Sequence, residues 1–382
     1  MKPGRKLPLL LLLLLPGLVK AQERYYHLLA GTYTSGISEG IYVYRFDSQT
    51  GKIVHTYTAK GVENPSFLAA SADGDFVYSV NELGGGKEGE ISAFSFDNST
   101  GKLELINKQV SGGGSPCYIS LSPDGKFLVA ANYSGGNLSV FPLSGNGSLE
   151  TPVQIIRHEG SSVNKQRQEK PHVHSVVFSP NGKFLFTGDL GTDKVNAYRY
   201  HPERTSRPLT PASPPFTKVT AGGGPRHLVF NDDATFAYLV LEMTGMVSVF
   251  RHENGRLKEI QQIPMTAPGF SGESGAAEIR ISPDGKFLYA SNRGDANEIT
   301  IYAIDAGSGK LTIAGRQPTL GKTPRNFMIS PDGNFLLAAN QNSNSIVVFH
   351  RDPESGLLKA SKERVTIGNP VYLMMLPVAD NL

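Results

Sequence analysis

The chain has 382 residues and a formal charge of +3, from 37 Lys and Arg against 34 Asp and Glu. Charge this close to balance, with no basic stripe interleaved with aromatics, excludes nucleic acid as the main partner. The single cysteine, Cys117, excludes an intramolecular disulfide, and a lone thiol with no activating neighbour in sequence reads as a buried or rim residue.

The first residues stand apart from the rest. Lys2, Arg5 and Lys6 precede an apolar run from Leu7 to Leu15, and Val19 and Ala21 have the spacing that a signal peptidase reads. Residues 1–21 are therefore expected to be a cleaved signal peptide, and 22–382 one exported domain, periplasmic or secreted. The apolar run is too short to span a bilayer comfortably, so no stable membrane insertion is expected after cleavage.

Tyr25 to Tyr33 and Gly40 to Asp47 then alternate as strands but lack an inner strand before them. From there the chain repeats itself. Copies run from Pro65 to Glu82, Pro116 to Phe141, Pro171 to Tyr200, Pro225 to Phe250, Ala276 to Ile304 and Pro324 to Phe349. Their spacing of about 50 residues is that of propeller blades. Each copy reads as strand, tight turn, strand, connection, strand, with turns such as Ser122 to Gly125 and Ser330 to Gly333 supplying Pro and Gly where a type I turn accepts them. Gly160 to Lys170 and Pro264 to Gly275 are loops entering inner strands, expected over one end of the channel, the second as a candidate flap. Pro202 to Pro215 reads as an outer linker before a strand at Phe216 to Thr220. Pro370 to Pro377 supplies the inner strand that the N-terminal pair lacks. The sequence predicts an all-β, seven-bladed β-propeller whose last blade is closed by N- and C-terminal strands, functioning as a monomer.

In such a ring the chain enters the first strand of a blade and leaves the second on the same face, so side chains at both places converge on one channel mouth. Five residues before the turn Ser, or its equivalent, stand Ser66, Cys117, His174, Arg226, Ala277 and Arg325. The second strands end in Asn81, Asn132, Asp189, Leu241, Asn292 and Asn340, followed by Glu82, Tyr133, Leu190, Glu242, Arg293 and Gln341. The near-repeated Asn reads as structural, and the variable positions read as a site. His174, Arg226, Glu242 and Arg293 form the sharpest group: a general base, two anion-binding guanidinium groups and a carboxylate to orient them. A structural ion-pair cluster is the alternative. His172 and His174, two apart on a strand, share a face and with Asp189 offer a second alternative, a divalent metal site lacking a further ligand. His227, next to Arg226, is expected to point away from it.

These residues carry a resemblance. Arg167 and Gln168 before PHVHS at Pro171 to Ser175, GGGPRH at Gly222 to His227, Glu242 after a strand, and SNRG at Ser291 to Gly294 resemble the lactonase family of seven-bladed propellers. That family includes propeller-type 6-phosphogluconolactonases and fungal carboxymuconate lactonising enzymes. The resemblance covers nearly all of the chain after the signal segment. It implies His174, Arg226, Glu242 and Arg293 as catalytic, and His172, Arg167, Gln168, Arg325 and Asp189 are expected beside them in substrate binding. It implies no metal and no cofactor. The expected reaction is hydrolysis of an anionic sugar lactone of the 6-phosphogluconolactone type, with a muconate-type cycloisomerase or a non-catalytic binding propeller as alternatives. An export signal sits awkwardly with a substrate phosphorylated in the cytoplasm.

Overall fold

The computed structural model describes residues 23–84 and 86–379. The expected signal segment lies outside them. Seven four-stranded antiparallel sheets surround a central channel, each with its first strand innermost. Blade 1 joins both termini: Pro370–Pro377 is innermost, followed outward by Tyr25–Thr32, Gly40–Asp47 and Ile53–Lys60. The joint is antiparallel, with Tyr26 opposite Pro377 and Ala30 opposite Leu373. Blades 2 to 7 begin at Leu68–Ala70, Pro116–Leu121, Val173–Phe178, Pro225–Phe230, Ala276–Ile281 and Pro324–Ile329.

The turns between first and second strands follow their sequence. Gly125 and Gly333 take φ of 69° and 76°, which a side chain resists, and Ser122 Oγ and Ser330 Oγ each accept the amide of the Phe five residues on, at 3.0 Å in both. Apolar side chains pack between neighbouring blades. Phe184 and Phe186 of blade 4, for example, meet Leu228, Phe230 and Leu239 of blade 5. Each sheet thus buries both faces, and the core of the toroid is a succession of apolar clusters set between neighbouring blades.

One boundary departs from the expectation. The outer strand of blade 4 is Leu209–Lys218, so much of the supposed linker Pro202 to Pro215 is sheet. Three prolines, Pro211, Pro214 and Pro215, fit because this is an edge strand whose pairing skips between Asn196 and Tyr198, where missing amide donors cost little.

Candidate active site

Two local devices aim the side chains. The first is the entry turn. Asn64, Ser115, Gly224, Thr323 and Asn369 take positive φ, each followed by a proline that opens or precedes an inner strand. The second is a β-bulge one step later. Pairing skips Cys117 in blade 3, His174 in blade 4 and Arg325 in blade 7, and it skips Arg226 with His227 and Ala277 with Glu278 in blades 5 and 6. A bulged residue is released from the alternation of the strand, so its side chain can be re-aimed. The column of positions five before the turn is thus, in these five blades, a ring of bulges.

At that end of the channel lies a cleft of about 300 Å³. Arg167, Arg293 and Arg325 wall it together with Glu82 and Glu242, and Tyr33, Tyr133, Cys117 and His174 complete the lining. Arg226 is buried next to Glu242. Glu242 is the hub: Oε2 accepts from Arg226 Nε at 3.0 Å and lies 3.1 Å from Arg293 Nη2, and Oε1 accepts from Arg167 Nη2 at 2.8 Å. Burial alone would raise the Glu242 pKa, but Arg293 and Arg226, and then Arg167, outweigh it and hold the carboxyl at about 2. Burial and the neighbouring Arg293 and Arg325 lower Arg226 to about 10. Four guanidinium groups against two carboxylates leave two positive charges in excess, so the cleft is built for an anion or for developing negative charge.

Arg325 is the one of these arginines that Glu242 does not hold. Its guanidinium lies over the Tyr33 ring, 5.4 Å from the centroid, and donates no hydrogen bond to a described residue. Tyr33 Oη and Ser66 Oγ instead donate to Glu82 Oε2, at 2.9 and 2.5 Å. His174 lies opposite, buried. Desolvation first, then Arg226, His227 and Arg325, hold its pKa well below the usual value, so the imidazole is neutral. Cys117 Sγ sits 3.8 Å from His174 Nδ1, but burial pushes the thiol far up, which keeps it un-ionised and unreactive.

The geometry brings His174, Arg226, Glu242, Arg293, Arg325 and Arg167 to one cleft. It does not bring Gln168, His172 or Asp189 into its lining. Gln168 is fully buried: its Nε2 donates to Leu190 O at 2.9 Å and its Oε1 accepts from Asn164 N at 3.1 Å. With Ser162 Oγ bonded to Asp193, this pins the Gly160 to Lys170 loop and extends Arg167 across the cleft to Glu242 and to Tyr133 Oη. His172 stacks on Tyr133 at 4.5 Å and bonds to Tyr133 O and Glu169, so it supports a wall of the cleft from behind. Asp189 accepts from the amides of His172 and Gly191 and pairs with His158 at 2.8 Å, a buried knot at the strand end. Both groups are thereby spent, which removes the alternative of a His172–His174–Asp189 metal site. The Pro264 to Gly275 loop is tied as well, by Arg316 to Met265 O and Thr266 O and by Asp295 to Glu273 N.

His227 corrects a second expectation. It does not point away from Arg226: Arg226 Nη1 donates to its Nε2 at 3.3 Å, and its ring meets Tyr118 and His174 from other blades at 5.1 and 5.3 Å. The bulge defeats simple alternation. Of the cleft lining, Glu82, Tyr133 and Cys117 stood in the aligned columns without being chosen, and Tyr33 was missed. Tyr33 follows Thr32 at the end of the second strand of blade 1, so extending the column to the blade built from both termini would have found it.

Comparison with known proteins agrees with this architecture. A family profile described as "Lactonase, 7-bladed beta-propeller" matches residues 27–375. The chain is 36% identical over 337 residues to a 6-phosphogluconolactonase of Formosa agariphila, covering 88% of this chain and 95% of that one. It is 32% identical over 352 residues to a 6-phosphogluconolactonase of Bacillus subtilis, covering 91% and 97%. The crystal structure of a periplasmic gluconolactonase of Pseudomonas aeruginosa superposes with a TM-score of 0.90 at 44% identity, over 93% of this chain and all of that one. Match length, identity and the shared ring together show that the chain belongs to the lactonase family of seven-bladed β-propellers.

Proposed function

We propose that this protein is an exported lactonase that hydrolyses a sugar lactone of the gluconolactone type, phosphorylated or not, at the cleft between Arg325 and His174. The observation that carries the reading is the pairing of an unpartnered guanidinium with a neutral imidazole in a cleft carrying two excess positive charges. Arg325 and Arg293 hold the carbonyl oxygen, and any anionic substituent, as negative charge builds on attack. A neutral His174 takes the proton of the attacking water. Its depressed basicity is the work of burial and nearby positive charge, and an anion bound to those arginines offsets the second cause. The imidazolium then returns its proton to the ring oxygen as the acyl C–O bond breaks, leaving the open hydroxy acid, which ionises to its carboxylate. Glu242 keeps Arg226, Arg293 and Arg167 in place and stays ionised throughout.

The two 6-phosphogluconolactonase relatives and the periplasmic gluconolactonase support this reaction class, and the last supports export of a sugar-lactone enzyme. The test is a pH-stat assay of residues 22–382 against 6-phosphogluconolactone, gluconolactone and a carboxymuconolactone. Opening of a gluconolactone, lost by about 10²–10⁴-fold in His174→Ala with the fold intact, is expected. Opening of carboxymuconolactone alone would move the protein to the cycloisomerase side of the family, and indifference to all three would refute the reading.

A further inference from the structure

Deeper in the channel than His174 lies a second polar cluster, which the reaction just described does not use. His227 projects from its bulge into the channel, where Phe67 of blade 2, Tyr118 of blade 3 and His174 of blade 4 face its ring, at 6.3, 5.1 and 5.3 Å. Its Nδ1 lies 3.3 Å from Glu278 Oε1, and its Nε2 lies 3.3 Å from Arg226 Nη1. A guanidinium can only donate, so Nε2 must be the acceptor and Nδ1 must carry the proton toward the carboxylate. Glu278 is itself fixed on all sides. It accepts from Ile279 N at 3.0 Å and from Asn326 Nδ2, and Arg280 Nε stands 3.6 Å away. Burial would raise its pKa, but Arg280 and His227 outweigh it and hold it at about 2; burial and Arg226 hold His227 at about 4. The groups facing His227 are thus Arg226, Glu278, Arg280, His174 and Tyr118.

We propose that Glu278 and His227 are positioning residues for the reaction at the cleft: Glu278 fixes the tautomer of His227, and His227 orients the guanidinium of Arg226 beside His174 and Glu242. This rests on the lactonase reading of the same site. Arg226 already gives Nε to Glu242 and shares Nη1 between Ala277 O, at 2.7 Å, and His227. Its Nη2 edge has no hydrogen-bond acceptor among the described residues, and that edge is swung by whatever anchors Nη1. A buried carboxylate, a neutral imidazole and a bulge placed on the channel axis are costly to assemble, and no other part of the reaction uses them.

The test compares His227→Gln, which retains an acceptor for Arg226 and a donor for Glu278, with His227→Leu, which retains neither, and with Glu278→Gln. His227→Leu is expected to lower kcat on the accepted lactone by roughly 10²-fold with KM changed little, as misplacement of a reacting geometry does, and His227→Gln to recover most of that loss. Wild-type kcat in His227→Leu, or a loss that His227→Gln shares in full, would overturn the proposal. A second readout needs no substrate. Imidazole ¹⁵N shifts of the wild-type protein should report His227 as neutral with the proton on Nδ1 at pH 6, and a shift to the Nε2–H tautomer in Glu278→Gln. An Nε2–H or charged His227 in the wild type would overturn the proposal. If the wild type opens no lactone, the functional reading falls while the ¹⁵N result still decides whether the relay exists.

Discussion

Glu242→Gln tests the electrostatic logic of the cleft most directly. The wild-type carboxyl is held at about 2, against 4.5 for a free glutamate side chain. At about 1.4 kcal/mol per unit, the folded surroundings favour its charged form by roughly 3 kcal/mol, and the group is buried enough that little of this is screened. A depressed carboxyl contributes stability that is present in full above its unfolded pKa and lost as pH falls through the folded one. The variant should therefore be less stable than wild type by roughly 3 kcal/mol at pH 7, with a lower Tm by about 4 °C. By pH 3 roughly 2 kcal/mol of that gap should have closed. Urea unfolding of both proteins at pH 7 and pH 3 measures this. Equal midpoints at pH 7, or a gap that does not shrink on acidification, would show that the three arginines do not depend on the Glu242 charge.

Arg325→Met should reduce kcat/KM by about 10²–10³-fold, as loss of an oxyanion donor does, while changing thermal stability little, because the guanidinium donates no hydrogen bond to a described residue and gives up only its place over the Tyr33 ring and beside Glu82. Cys117→Ala should keep kcat within a few fold, and the wild-type thiol should resist maleimide at pH 7.5 until the protein is unfolded; rapid labelling would contradict a buried, un-ionised Cys117. Thr323 holds φ of 60°, where a β-branched residue is strained, so Thr323→Gly should gain on the order of 1 kcal/mol in chemical unfolding. A loss of stability would mean that the Thr323 side chain does more than tolerate the turn.

The ring was legible because its signals are local and repeated: a turn between alternating strands, Ser-Pro-Asp-Gly in three copies and a variant of it in three more, and an orphan inner strand at Pro370 to Pro377 that finds its partner in the strand from Tyr25. Alignment on that turn also located the mouth of the cleft, since the register from turn to bulge is constant. It failed one residue further along. Alternation assigns Arg226 and His227 to opposite faces, and only pairing across the sheet reveals that both are skipped. Motif spacing likewise could not separate Arg167, which reaches Glu242, from its neighbour Gln168, which bonds backbone, because both lie in the same short loop. That Arg325 stands alone is a fact about what surrounds it from blades 1 and 2, more than two hundred residues distant in sequence.

The joint in blade 1 has a consequence for biogenesis. Leu373 N donates to Asn326 Oδ1, and Asn326 in turn bonds Glu278, so the strand that locks the ring also touches the relay behind Arg226. During vectorial synthesis the N-terminal three strands of that blade must wait as an open edge until residues beyond 369 arrive. Competence for turnover would then be acquired in the same event as topological closure. A stalled or clipped chain would expose its unsatisfied edge to quality-control proteases without ever having handled a substrate.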